Sequence, residues 1–355
     1  FSLANNIDLS EYKDANGNPV DWTGPSGFSG KLYGNGHAIK NLVLSKTGGD
    51  TGLLTSLGNN AVLQDFTIEV STSSPVRPRT NNSHFGGVVG YATGSNIKIK
   101  NVAVKGELIY GPVNIGNYLL AGGIIGEMSP TSSVTLEKCV SELNITLQQG
   151  TQSGSSGTLG FGGLVGKAYG SLTIKQCYAT GNITLNHNGN RRLWAGGLVG
   201  QKYGGSLKIE ESYASGNVIA TNAVSANAMF TISGGLVGTG AMESAATVTL
   251  LRSAALNENA LAVTTRAQDS LSGRLIAHPR SSGNVYTNNI ARKGMYTGNT
   301  NPGTANETEG SENALEGLAK TVDELKNTAT WTALGWNETD WDFSGLSQGK
   351  WPTLK

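Results

Sequence analysis

Charge, cysteine, proline and histidine are all scarce in this chain. Charged residues make up 14% of the 355, and lysine plus arginine outnumber aspartate plus glutamate only 26 to 25. So close a balance gives no global field to gather nucleic acid or an anionic membrane surface. Two cysteines are too few for a disulfide framework. No apolar run approaches the roughly 20 residues of a membrane-spanning helix, so a membrane would be met only through an anchor outside these residues. Aspartate is missing between Asp65 and Asp269, and the glutamates of that stretch, among them Glu107, Glu127, Glu137, Glu142 and Glu210, make no evident pair. The clustered carboxylates or calcium ligands of a carbohydrate-active lyase or hydrolase are therefore not expected there. His37, His84, His187 and His278 are scattered without a His-Glu-x-x-His, and no Gly-x-Ser-x-Gly elbow occurs. The chain reads as a non-enzyme, with no catalytic residue, no metal and no cofactor.

What is abundant is glycine, 50 residues, and it is patterned. Five copies of one phrase occur: Gly86-Gly87-Val88-Val89-Gly90, Gly122-Gly123-Ile124-Ile125-Gly126, Gly162-Gly163-Leu164-Val165-Gly166, Gly196-Gly197-Leu198-Val199-Gly200 and Gly234-Gly235-Leu236-Val237-Gly238. The second glycines sit at 87, 123, 163, 197 and 235, giving steps of 36, 40, 34 and 38. Weaker copies flank them at Thr51-Gly52-Leu53-Leu54 and Ser272-Gly273-Arg274-Leu275-Ile276. Self-similarity at this period belongs to solenoids, propellers and arrays. No Lys-Ser/Thr follows any copy, which argues against a phosphate-cradling loop. The glycine pair instead fits a corner, where it supplies either positive φ or room for a close backbone approach.

One period resolves into three short strands. After the turn Lys167-Ala168-Tyr169-Gly170, Leu172 and Ile174 alternate with Thr173. The next inward position is Cys177, three residues on, so a corner falls at Lys175-Gln176. Thr180-Gly181-Asn182 turns again, and Ile183 and Leu185 follow. Across periods the Ile174 position reads Ile39, Leu63, Ile99, Leu136, Ile174, Ile209, Leu250, and the position nine residues later reads Leu108, Ile145, Ile183, Val218. The position outside Ile174 alternates in sign: Lys100, Glu137, Lys175, Glu210. Stacked coils explain both patterns, since each apolar residue lies on its counterpart and each charge beside its opposite. The expected fold is all-β, a parallel β-helix with coils ~4.8 Å apart.

The Gly-Gly-Leu-Val-Gly phrase followed by Leu-x-Ile-x-x-Cys/Ser-Tyr-Ala-x-Gly-Asn-Ile/Val, clearest at 162–183 and 196–218, resembles the GLUG repeat of bacterial surface proteins. Residues 28–42 resemble the opening coil of such proteins. The resemblance implies a right-handed parallel β-helix, secreted or surface-anchored, often from gut Bacteroidetes and described as an adhesin. Similar repeats also stand beside the protease domain of IgA-specific metallopeptidases.

On this reading residues 1–300 form the β-helix, with an N-terminal cap over about 1–30 that uses Trp22 and Phe28. Residues 301–355 form a C-terminal cap of the same unit. There 300–312 read as a loop, Thr321-Val322-Asp323-Glu324 fits a capping box, and Trp331, Trp336, Trp341 and Trp351 cluster. The tryptophans fit a hydrophobic lid on the last coil better than a sugar platform. Cys139 and Cys177 share one ladder position, as two buried thiols or as a redox pair. Phe1 falls within a strand-like phrase, as in a trimmed or excised chain. The variable segments 71–85, 110–120, 148–160, 186–194, 220–233 and 257–271 should emerge along one flank, where insertions build binding faces. The candidate ligand-binding residues on them are Arg77, Arg79, His84, Tyr110, Tyr118, Arg191, Arg192 and Trp194. The expected function is a non-catalytic cell-surface or extracellular adhesin binding host glycan or matrix protein. The alternatives are a lyase or hydrolase on the same scaffold, or a spacer in a larger protein such as a peptidase.

Overall fold

The computed structural model describes residues 1–44, 49–71, 82–111, 118–152, 157–189, 191–223, 230–240, 243, 245–265, 267–280 and 283–355. Arg77 and Arg79 lie outside them. Each glycine phrase joins two short strands, and like strands stack in parallel from coil to coil. The strands before the phrase form a seven-stranded sheet one, from Gly49–Thr51 to Ser270–Gly273. The strands after it form a seven-stranded sheet two, from Leu54–Leu57 to Ile276–Pro279. The long remainder of each coil lies in a 20-stranded sheet three. The chain is thus a parallel β-helix of seven coils, numbered here by their glycine phrases.

The inward ladders hold the fold. Leu63, Ile99, Leu136, Ile174, Ile209 and Leu250 are successive cross-coil partners and are all fully buried. Leu108, Ile145, Ile183 and Val218 form a second such row. Each burial is worth about 1.5–3 kcal/mol. The top of the first ladder differs from expectation: Leu32, not Ile39, pairs with Leu63, while Ile39 pairs with Ile68. The strand Lys31–Val43 shifts register between Tyr33 and His37, where Asn35 and Gly36 have φ of 52° and 79°. That longer corner puts a count made from later coils out of step. The alternating outer row is in register, with Lys100 and Glu137 3.1 Å apart, but Glu210 turns instead to Lys208 and Arg252.

Two corners shape each coil. At the glycine corner none of the second glycines has positive φ. Close approach is the reason for them: a Cβ at Gly123, Gly163 or Gly197 would overlap the carbonyl oxygen of the second glycine of the next coil. In the last coil Arg274 stands in this place, since Gly273 pairs with Gly234 and Ile276 with Val237. No further strand of sheets one and two follows among the described residues. The Arg274 side chain is fully buried, and its Nε lies 3.3 Å from Glu316 Oε2. At the other corner Asp65, Asn101, Lys138, Gln176, Glu211, Arg252 and Asn288 all have φ between 48° and 61°. This left-handed residue causes the break in alternation that returns Cys177 to the interior.

The C-terminal segment is placed differently from a lid on the last coil. Helices Val322–Leu325, with the expected Thr321/Glu324 capping box, and Thr328–Ala333 lead into Trp331, Trp336 and Trp341, all buried. These rings pack on the outer side of sheet three, against Tyr178, Tyr213, Ala254 and Ile290. Those four residues stack as one outward row, and an uncovered apolar row of that length would be exposed to water. Trp336 Nε1 donates to Arg252 O at 2.7 Å, and Lys138 Nζ reaches Asp340 Oδ1 at 2.7 Å. The segment is therefore a strap along several coils. The end itself is closed by residues near Leu315 and Glu316. The expected loop at 300–312 contains the strand Thr304–Asn306, antiparallel to Met295–Gly298. At the opposite end Leu3, Leu9, Trp22 and Phe28 pack on the core.

Candidate functional site

Strand alternation divides sheet one into inward and outward rows. Leu119, Leu159 and Leu193 belong to the interior core. The flanking rows, Asn82–Tyr118–Thr158–Arg192 and His84–Leu120–Gly160–Trp194–Ile232, therefore face outward. On sheet two the outward row is Tyr91–Glu127–Lys167–Gln201–Thr239–His278. The tight glycine corner folds these outer faces toward each other. The His84 and Tyr91 rings are 5.2 Å apart, and Lys167 Nζ lies 5.5 Å from the centre of the Tyr118 ring. A cleft thus runs along the solenoid axis between sheets one and two.

A chain of alternating charges lines it, one group per coil. Asp50 Oδ1 is 2.6 Å from His84 Nδ1, His84 Nε2 is 2.9 Å from Glu127 Oε2, and Glu127 Oε1 is 2.8 Å from Lys167 Nζ. Burial alone would lower the His84 pKa, but the hydrogen bonds to Asp50 and Glu127 prevail and push it up to about 9. Burial would raise Glu127, yet His84 and Lys167 hold it below the usual carboxylate range. Beyond Lys167 the Tyr169 and Tyr203 rings stand 4.7 Å apart, with Lys167 Nζ 5.6 and 5.2 Å from their centres. The Tyr169 hydroxyl donates to Glu243 Oε1 at 2.5 Å. No group of three or more His, Cys, Asp and Glu among the described residues is arranged to hold a metal ion.

The structure brings four of the candidate residues onto this outer face. Tyr118 is 39% exposed, Arg192 is exposed, His84 is part of the charged chain, and Trp194 is buried at the back. Two others are not on it. Tyr110 points inward, edge-on between Phe85 at 5.2 Å and Phe161 at 5.9 Å. Its tyrosine identity suggested a surface ring, but the length of its strand, Ile97–Tyr110, carries the inward alternation that far. Arg191 is buried, sharing the parity of inward Leu193, and its carbonyl accepts from Asn222 Nδ2 at 3.3 Å. The opposing wall of Glu127, Lys167, Tyr169 and Tyr203 was missed. Its signal was a fixed place after each phrase, Gly126-Glu127, Gly166-Lys167 and Gly200-Gln201, which reads as a strand's polar side until the second wall is known. Where the variable segments of coils four and five leave sheet three, Asn186, His187, Asn188, Thr221 and Ala223 line a cavity of about 320 Å³.

The fold and its corners define a parallel β-helix built on the repeated glycine phrase, and comparison with known proteins shows what it is similar to. The family model of the GLUG motif matches residues 157–184, which hold one of the two clearest copies of the phrase in the sequence. Halomucin of Haloquadratum walsbyi is 32% identical over 136 residues, a stretch covering 36% of this chain and 1% of halomucin. A crystal structure from Bacteroides ovatus, of a protein provisionally described as an immunoglobulin A1 protease, is similar over 100% of this chain and 85% of its own, with a TM-score of 0.55. At 19% identity that likeness shows the fold alone. The chain resembles GLUG-repeat surface proteins, and its match spans a very small part of halomucin.

Proposed function

We propose that this chain is a non-catalytic binding protein of the bacterial cell surface or extracellular space, an adhesin for host glycan or matrix protein. One observation carries the reading: the outer face of sheet one presents Tyr118 and Arg192 to solvent across a cleft from Lys167, Tyr169 and Tyr203, beside the flank from which the variable segments emerge. Aromatic rings with arginine are the residues that recognition surfaces enrich. The GLUG match and the likeness to halomucin support a surface or secreted setting. The test is an array of host glycans and matrix proteins probed with the whole chain. Specific, saturable capture is the expected result. A blank array sinks the adhesin reading and favours the second one, a spacer, which is consistent with a repeat stretch matching only 1% of a much longer relative.

A further inference from the structure

We infer that the cleft at coils three to five takes an acidic sugar, a glycosyl unit carrying a carboxylate or a sulfate; this deepens the binding-protein reading and rests on it. The geometry suits a sugar. Tyr118 on one wall faces Tyr169 and Tyr203 on the other, all within 5.2–5.6 Å of the same ammonium group. Partly exposed tyrosine rings grouped around a fixed ammonium offer apolar surface beside polar edges, the pattern a pyranose presents in reverse. Tyr118 and Arg192 lie two strands apart in one row, with Thr158 between them, so the site spans about 10 Å. That is the reach of a short oligosaccharide laid along the axis.

The charge pattern selects the acidic class. Asp50, His84, Glu127 and Lys167 satisfy one another in sequence. Glu243 is engaged by the Tyr169 hydroxyl. Arg192 is exposed and makes no ion pair among the described residues. A guanidinium fork matches carboxylate and sulfate alike. Behind the cleft, Trp194 Nε1 and Gln201 Oε1 are buried with no protein hydrogen-bond partner among the described residues. Closed off from solvent, these two side chains form the fixed base of the cleft, and the contact surface above them is made by Tyr118, Tyr169, Tyr203 and Arg192.

The test is titration of the whole chain with sialylated, uronate-containing and sulfated oligosaccharides and with their neutral counterparts, followed by heteronuclear NMR. Acidic probes should bind at least about ten-fold more tightly than neutral ones and weaken with salt. The carboxylated and sulfated arms show which anion is preferred. Arg192→Glu should lose about ten-fold or more, Arg192→Lys less, and Tyr169→Ala with Tyr203→Ala a comparable amount. These side chains are partly or fully exposed, and unchanged circular dichroism and melting would establish that the variants are folded. Neutral probes binding as well as acidic ones, or Arg192→Glu binding like the parent, would overturn the inference. If the parent captures glycan or matrix on the array while the cleft variants capture it equally, the cleft assignment falls and the adhesin reading stands. If the parent captures nothing, both fall.

Discussion

The two corners of each coil are built on opposite terms. At the glycine corner the second glycine is kept in coils two to six and the backbone is unexceptional; at the left-handed corner the backbone is exceptional and the residue varies freely through Asp, Asn, Lys, Gln, Glu, Arg and Asn. The difference lies in where the next coil sits. A side chain at the glycine corner would point into the carbonyl of the coil above, whereas one at the left-handed corner has room to extend and bonds its counterpart in the next coil, as Asn101 does Asp65 and Gln176 does Glu211. Contact with a neighbour fixes a residue more tightly than a strained φ does. The strain of a single left-handed residue costs only about 1–2 kcal/mol, while a Cβ driven into a backbone carbonyl displaces a whole coil.

The widest separation of the two corners should come from Gly163→Ala set against Asn288→Gly. The first places a methyl against Gly197 O and the Ala179 side chain, and should cost about 3 kcal/mol or more, or prevent folding. The second removes a Cβ from a residue with φ of 52°, and should change stability by less than about 1 kcal/mol. Urea unfolding measures both. A Gly163→Ala protein as stable as the parent would break the account of the glycine corner.

Coil four has a third turn, where a Cβ on Gly170 would also meet a carbonyl of the adjacent coil, Ser132 O, and where a buried cation sharpens the comparison. The inward row of sheet two runs Leu57, Ala92, Met128, Ala168 and then Lys202. Lys202 is fully buried, and its Nζ donates to the Gly170 carbonyl on that turn. Burial pushes its pKa down from 10.5 to about 7, against a partial opposing pull from Glu243. An amine with a lower pKa folded than unfolded binds fewer protons in the folded state between those values, so its contribution to stability rises with pH from 7 to 10.5 and is least below 7. Lys202→Met should therefore be more stable than the parent by about 2 kcal/mol below pH 7, with the gap closing as pH rises toward 10.5. Thermal melts from pH 5.5 to 10 would show it. A gap independent of pH would mean that the amine does not titrate in this range.

Arg274 tests the glycine rule where the stack ends. Restoring the glycine by Arg274→Gly would improve a sequence profile, yet it removes the Nε bond to Glu316 and the Nη2 bond to Gly317 O that close the last coil. The expected result is a loss of about 2 kcal/mol. A gain would show that glycine is required by the turn itself and not by the coil stacked on it.

These cases also show what could be seen in advance. The ladders, the period and the break at Gln176 were legible because each is a repeated local fact of apolar spacing. The top of the ladder was not, since the extra corner residues near Asn35 break the count. Nor was the strap: four tryptophans announce burial but not which surface they cover, and that surface is Tyr178 and Tyr213, far away in sequence. The cleft was half legible. Tyr118, His84 and Arg192 stand out beside variable segments, but Lys167 and Glu127 become wall residues only when the glycine corner turns sheet two to face them. Tyr110 and Arg191 were placed at the surface by residue type, whereas strand parity puts Tyr110 inside and Arg191 is buried just before its strand begins.

The smallest effect concerns what the left-handed corner delivers to the interior. It returns Cys139, Cys177, Ser212, Ser253 and Asn289 to one inward row, and each side chain after the first accepts the backbone N–H of the coil before it. The distances are 3.3 Å for Cys139 N to Cys177 Sγ, 3.0 Å for Cys177 N to Ser212 Oγ, 3.4 Å for Ser212 N to Ser253 Oγ and 3.0 Å for Ser253 N to Asn289 Oδ1. Both cysteines are free and buried, and burial holds the Cys177 thiol well above its usual pKa, so it stays protonated. The row begins with the hydrophobes Phe66 and Val102 in the first coils, and from Cys177 on Cys, Ser and Asn each supply an acceptor. Cys177→Ser should be tolerated, because Ser212 and Ser253 already serve in that way, while Cys177→Val should cost about 1–2 kcal/mol by leaving the Cys139 N–H unpaired. Equal stability of the two variants would reduce the row to packing alone, and the left-handed corner would then differ from the glycine corner only in direction.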